Sequence, residues 1–195
     1  GEGMGNISSL KQVSREDGKV YTYISRQALR YNMVSQLGWD DPNSVTPEGT
    51  GENVVVQFKN DAKITDYPEI DLFGYMKTVK GKTGGAVTRN AVVRLSHAFS
   101  LESYKADTEF LNNMGLAKRI DKNNSLAQSE NHKSFYAYTV TIDLDRVGKD
   151  TDEDKVIEIP NSEKSKRVVD LLNTIKLLYR DIRGRRENLN PLFVA

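Results

Sequence analysis

Hydrophobic residues along this chain fall into two periods, and each predicts a set of elements. Leu29, Met33 and Leu37 recur every four residues, the spacing of one buried helix face, with Ser25 placed to cap the start and Gly38 to stop it. A longer helix is predicted from residue 160 to about 183. There Val168, Leu171, Leu172, Ile175, Leu178, Tyr179 and Ile182 make one apolar stripe, Glu163 suits the first turn, Arg180 and Arg183 the last, and Gly184 ends it. Four β-prone runs accompany these helices: 20–23 after a turn at 15–19, 53–58 around Val54-Val55-Val56, 91–100 as a core strand, and 135–144, the clearest strand, rich in aromatic and β-branched residues. Residues 40–52, full of Asp, Pro, Gly and Asn, read as loop, and 150–154 as an acidic turn. Residues 71–76 are a short apolar turn ahead of a flexible basic segment, 77–89. The sum is an α+β chain with no internal repeat.

Composition narrows the function classes. A chain of 195 residues can build one sizeable core, or one core with a large insertion. Its 28 basic and 27 acidic residues nearly cancel, so any basic surface must be local. With no cysteine, disulfides and thiolate metal sites are excluded. There is no bilayer-spanning apolar run and no signal peptide, so a soluble, cytoplasmic protein without membrane partners is the default. The opening Gly1-Glu2-Gly3-Met4-Gly5 and the apolar run Leu192-Phe193-Val194-Ala195 after Pro191, which reads as a strand just beginning, predict that the chain is incomplete at both ends. Only two histidines are present, His97 and His132, and no nucleophile–base pair with a third orienting residue stands out. No cofactor is implied, and acyl transfer, hydride transfer and zinc chemistry find no support.

The candidate chemistry is anionic-ligand binding. Arg26 and Arg30, four apart, project from one side of the first predicted helix, whose N-terminus carries free N–H groups and the positive end of the dipole. They make either a seat for phosphates or a pair salt-bridged to neighbouring acids. The glycine-rich opening 1–6 and Lys11 precede this helix in one continuous segment. Residues 77–89 carry Lys77, Lys80, Lys82 and Arg89 among glycines but lack the Walker order, which leaves a phosphate-wrapping loop and a solvated loop both open. Residues 112–133, polar with Met114, Leu116, Ile120 and Leu126 and a Lys118, Arg119, Lys122 cluster, are either a protruding arm or a disordered loop. His97, isolated in an apolar run, reads as a hydrogen-bonded structural residue before a metal ligand. Asp143 and Asp145 would share a strand face and could hold Mg²⁺, though a strand ending in polar residues explains them more cheaply.

Five segments in order carry a family resemblance. Asn6 with Lys11, then Ile24-Ser25-Arg26-Gln27-Ala28-Leu29-Arg30, resembles the phosphate-contacting loop and first helix of the backbone subunit of the CRISPR effector complex Cascade. Asp71-Leu72-Phe73-Gly74 resembles that family's Asp-x-Phe-Gly element, and Arg94-Leu95-Ser96-His97-Ala98-Phe99-Ser100 its Ser/Ala-His-Ala strand. Phe135-Tyr136-Ala137-Tyr138 and Asp143-Leu144 resemble the strand after its thumb. The wording is nearest the DevR-type, subtype I-B, branch, and the resemblance runs from about residue 1 to 186.

The resemblance implies a modified RRM-like (ferredoxin-like) palm with inserted finger and thumb elements. It would be a single domain over 1–195, with a glycine-rich, basic insertion at about 77–90 and a thumb-like arm at about 113–134. Copies would stack as a helical filament along a CRISPR RNA with other Cascade subunits, and would present the guide for pairing with target DNA without catalysing a reaction. By position, Asn6, Lys11, Ser25, Arg26, Gln27 and Arg30 would contact the RNA backbone, and Met114, Leu116, Lys118 and Arg119 of the thumb would reach the guide. Near-neutral net charge suits this, because base pairing reads sequence and the protein needs only backbone contacts. The family's palm begins with a strand before the glycine loop, which this sequence does not show. Two rivals remain: a ribonuclease like the type III backbone subunits, with Asp17 or Asp121 as its loop aspartate, and a DevR-type developmental regulator, for which no helix-turn-helix is present.

Overall fold

The computed structural model describes residues 2–4, 6–49, 54–79, 85–152, 155–182 and 184–195. It is a mixed α+β protein with many strands and four α-helices among those residues. The chain divides into two compact units, residues 1–28 with 96–139 and residues 29–95 with 140–195.

The first unit holds two four-stranded sheets. In one, Glu2–Met4 pairs with Ile7–Ser9, which runs parallel to Leu126–Asn131, which in turn is antiparallel to Asp107–Asn112 over six residue pairs. In the other, Tyr136–Ala137, Ala98–Ser100, Val20–Ile24 and Gln12–Ser14 are antiparallel neighbours. The predicted turn at 15–19 joins the last two of these. Asp17 accepts the Lys19 N–H (3.0 Å) and the Tyr21 hydroxyl (2.9 Å), so its carboxylate closes the turn.

The second unit is built from hairpins and helices. Its two-stranded pairs are Val45–Glu48 with Val55–Phe58, Tyr75–Val79 with Gly85–Arg89, Val93–Leu95 with Val140–Ile142, Lys149–Asp152 with Lys155–Glu158, and Tyr179–Ile182 with Arg185–Asn188. Leu29, Met33 and Val34 of the Arg26–Leu37 helix are buried, and one hydrophobic cluster joins Ala62, Ile64 and Ile70 to Phe58, Tyr67, Tyr75 and Ile157. Beside this apolar core lies an ionic one. Asp71, fully buried on the Pro68–Phe73 helix, accepts from Arg89 (2.7 Å), from Arg167 of the Asn161–Lys176 helix (3.0 Å), and from the Gly148 N–H at both oxygens (3.0 Å each). Arg89 also donates to the Lys149 carbonyl (2.6 Å) and Arg167 to that of Ile64 (2.7 Å). A buried carboxylate needs such full pairing, because desolvation otherwise exceeds the Coulombic gain. Gly74 ends the Pro68–Phe73 helix at φ +71, where a Cβ would overlap the Arg89 carbonyl oxygen and the Ala91 nitrogen.

Several predicted elements take another form. The long helix stops at Lys176 instead of near 183, and the last third of its stripe turns into the Tyr179–Ile182 strand. Leu178 is buried either way, and a period-four stripe that ends in Leu-Leu-Tyr also satisfies a strand. Gly184, at φ +77, serves the hairpin turn and not a helix end, and Arg183 lies outside the described residues. The two long apolar runs are each broken in the middle: 91–100 becomes Val93–Leu95 and Ala98–Ser100, and 135–144 becomes Tyr136–Ala137 and Val140–Ile142. At the break the Ser96 hydroxyl oxygen takes the Thr139 N–H (2.8 Å), so a side chain replaces a ladder carbonyl. Residues 40–52, read as loop, contain a 3₁₀ turn at Pro42–Ser44 and the Val45–Glu48 strand, while 50–53 lie outside the described residues.

Candidate nucleic-acid interface

The start of the Arg26–Leu37 helix is held from two directions. Ser25 Oγ accepts the Ala28 N–H (3.2 Å), the predicted cap, and His97 Nδ1 accepts the Arg26 N–H (3.0 Å). His97 is therefore hydrogen-bonded in a structural role, as its isolation in the sequence suggested. The arrangement leaves the Arg26 and Gln27 side chains exposed, and Arg26 makes no ion pair among the described residues. Arg30, one turn on, differs. Its guanidinium pairs with Glu69 at 2.8 Å and lies 5.3 Å over the Phe73 ring, so a neighbouring acid already offsets its charge.

Neither Asn6 nor Lys11 lies in a strand: Asn6 precedes Ile7–Ser9, and Lys11 lies between Ile7–Ser9 and Gln12–Ser14. The Tyr23 N–H donates to the Lys11 carbonyl (3.0 Å), which places Lys11 beside the strand that leads into Ser25 and Arg26. Asn6, exposed, follows residue 5 in the turn between the first two strands, and its carbonyl accepts the Gln128 N–H (2.9 Å). Residues 1 and 5 of the glycine-rich opening lie outside the described residues; the part that is described forms a β-hairpin and not a loop.

Residues 107–131 form a β-hairpin with a helical tip. Asp107–Asn112 and Leu126–Asn131 form its stem, and a short helix, Met114–Ala117, with a 3₁₀ turn, Lys118–Ile120, its tip. Ala117 is buried and anchors the tip, while Met114, Leu116, Lys118, Arg119 and Ile120 are exposed. Phe110, Leu126 and Ile7 add apolar surface to one face of the stem, each more than half exposed. At the base of the arm, Glu102 accepts the Ser134 hydroxyl and the Phe135 N–H (3.0 Å). Chiefly the Ser134 hydrogen bond holds the Glu102 carboxyl below its ordinary value.

Among the described residues of the basic segment at 77–89, neither Lys77 nor Arg89 is a free phosphate ligand. Lys77 and Arg89 are buried on the two strands of a hairpin, Lys77 donating to the Ala62 carbonyl (2.5 Å) and Arg89 to Asp71. Lys80 and Lys82 lie outside the described residues. Sequence reasoning missed this because the Ala62 carbonyl lies 15 positions from Lys77 and Asp71 lies 18 from Arg89, outside any local pattern. Asp145 lies in a 3₁₀ turn, Leu144–Arg146, and not on a strand with Asp143, so the alternation that would pair them does not hold. No cluster of three or more His, Asp or Glu positioned for a metal occurs among the described residues. No described helix is long and apolar enough to cross a membrane.

The fold and its exposed helix start and arm define an α+β protein with a candidate nucleic-acid surface. The family model described as "CRISPR-associated negative auto-regulator DevR/Csa2" matches residues 1–195, and the chain belongs to that family of CRISPR-associated proteins. Comparison with the curated proteins gives no match.

Proposed function

We propose that this chain is a CRISPR RNA-binding backbone subunit of a type I Cascade complex of the subtype I-B kind, with an RRM-like palm, polymerising along the guide and presenting it for pairing with target DNA. The supporting observation is that one unit carries both an exposed, doubly capped helix start with Arg26 and Gln27 and an ordered arm tipped by exposed Met114, Leu116, Lys118 and Arg119. Ser25, Arg26, Gln27 and Lys11 hold phosphates, and Asn6 follows the backbone toward the arm. Arg30 contributes less, because Glu69 already occupies it. The arm tip, apolar and basic together, wedges against the nucleic acid or a neighbouring copy. In this reading the subunit binds without catalysis; of the two nuclease candidates, Asp17 and Asp121, Asp17 is engaged in closing its own turn.

The test is co-expression of the full-length protein with a CRISPR array, followed by purification and sequencing of bound nucleic acid. Uniform repeat–spacer RNA in a large particle is expected; a particle free of RNA refutes the proposal. A second reading, transcriptional autoregulation, is favoured by the words of the family description. It requires sequence-specific binding of duplex DNA without guide RNA, measurable by gel shift on promoter fragments.

A further inference from the structure

Between Ile7–Ser9 and Gln12–Ser14 the chain passes from one four-stranded sheet of the first unit to the other, and Lys11 lies in that crossing. The crossing is held from both sheets. On the side of the helix start, the Tyr23 N–H donates to the Lys11 carbonyl (3.0 Å). On the side of the arm, half-buried Glu130 of the Leu126–Asn131 strand accepts the Leu10 N–H at 2.9 Å. Main-chain contact between this strand and Ile7–Ser9 starts where the Gln128 N–H meets the Asn6 carbonyl (2.9 Å), and the paired register reaches Ser8 opposite Ser129. Leu10 lies beyond it, so its N–H meets the Glu130 carboxylate in place of a strand carbonyl. The same oxygen accepts, at 3.4 Å, from the Gln12 side-chain amide. By charge alone a carboxylate one residue from Lys11 repels phosphate. What Glu130 adds to a phosphate site is therefore position.

Resting on the RNA-binding reading above, we infer that Glu130 is a positioning residue for the phosphate contact at Lys11. Its carboxylate fixes the Leu10 N–H on one side and Tyr23 fixes the Lys11 carbonyl on the other, so the main chain that carries the lysine is set before RNA arrives. A contact made from a fixed main chain loses less conformational freedom on binding than one made from a loose loop. Glu130 touches no phosphate itself and acts through Lys11 alone.

The experiment measures filter binding of the full chain to a single-stranded oligouridylate at several salt concentrations. Glu130→Asp keeps the charge but falls one methylene short of Leu10, whereas Glu130→Gln drops the charge and keeps the acceptor oxygen. Glu130→Asp should bind roughly 5-fold more weakly at about 0.1 M salt, with the slope of log K against log salt reduced by about 0.7, as Lys11→Ala should. Glu130→Gln should bind at least as tightly as the wild type. In a Lys11→Ala background Glu130→Asp should change nothing further. If Glu130→Gln loses as much as Glu130→Asp, if Glu130→Asp binds like the wild type, or if the losses add in the double variant, the positioning role is overturned. A Lys11→Ala variant with the wild-type slope also overturns it and leaves RNA binding standing. Should Glu130→Asp fail to fold, hydrogen exchange of the wild type decides: RNA should slow exchange of the Leu10 N–H, and unchanged exchange overturns the role. No salt-dependent binding by the wild type overturns both readings.

Discussion

Asp71→Asn tests the ionic core with nearly no change of shape. The wild-type carboxylate is fully buried and accepts four hydrogen bonds, two from guanidinium groups whose side chains are 3% exposed. Asparagine offers one acceptor oxygen and turns an amide donor toward groups that are themselves donors. Arg89 and Arg167 would then keep their backbone carbonyls and their outer carboxylates, Asp150 at 3.2 Å and Glu163 at 3.0 Å, but lose the shared charge between them. Removing one partner of a buried pair costs about 3–5 kcal/mol, and the remaining carboxylates place the loss near the lower end. At about 2–4 °C per kcal/mol for a chain of this size, the melting temperature should fall by about 6–12 °C. Urea unfolding followed by circular dichroism measures the loss, and hydrogen exchange should locate it in residues 29–95 and 140–195. Glu69→Gln is the reference, since its partly exposed pair with Arg30 is worth only about 0.2–1 kcal/mol. If Asp71→Asn costs no more than Glu69→Gln, the two arginines do not depend on Asp71 and the ionic core is misassigned.

Three further outcomes are expected. Arg26→Ala should reduce the slope of log K against log salt for single-stranded RNA by about 0.7, the share of one phosphate contact, whereas Arg30→Ala should change it less; filter binding at several salt concentrations separates them. Gly74→Ala should destabilise far more than Gly184→Ala. Both sit at positive φ, φ +71 and φ +77, but a Cβ at 74 meets backbone and one at 184 meets open space, so the latter should cost only about 1 kcal/mol in thermal melts. Asp17, Glu102, Glu158 and Asp181 are held below their ordinary values, 3.8 for the aspartates and 4.5 for the glutamates, chiefly by the Lys19 N–H, the Ser134 hydroxyl, Lys164 and Arg186 respectively. The unfolded chain therefore binds more protons in acid, so stability is complete above the ordinary carboxylate range and declines as pH falls through it; Glu102→Gln should flatten that decline in unfolding curves.

Local pattern was enough to determine some elements completely. The first helix needed only Ser25, the Leu29, Met33, Leu37 spacing and Gly38; the structure caps it at Ser25 and buries Leu29 and Met33, while Leu37 is half-buried and Val34 is buried instead. The arm was present as an alternative because Met114, Leu116, Ile120 and Leu126 are too few for a domain, yet only the tertiary structure shows the six-pair ladder of Asp107–Asn112 with Leu126–Asn131. Family membership was legible too, from the order of five short segments, each weak alone.

Tertiary structure decided the fate of the charges. In sequence Lys77 and Arg89 stand open between a phosphate-wrapping and a solvated loop, because nothing local distinguishes a lysine bound to a carbonyl from one in water; the Ala62 carbonyl and Asp71 that bind them are 15 and 18 residues away. The same holds for Arg30, which Glu69 claims across 39 positions, and for Arg26, which nothing claims among the described residues. Hydrophobic period is set by neighbours three or four residues away and survives in the sequence. Charge pairing is set by whatever packing brings within about 4 Å, and that distance exists only in the folded protein.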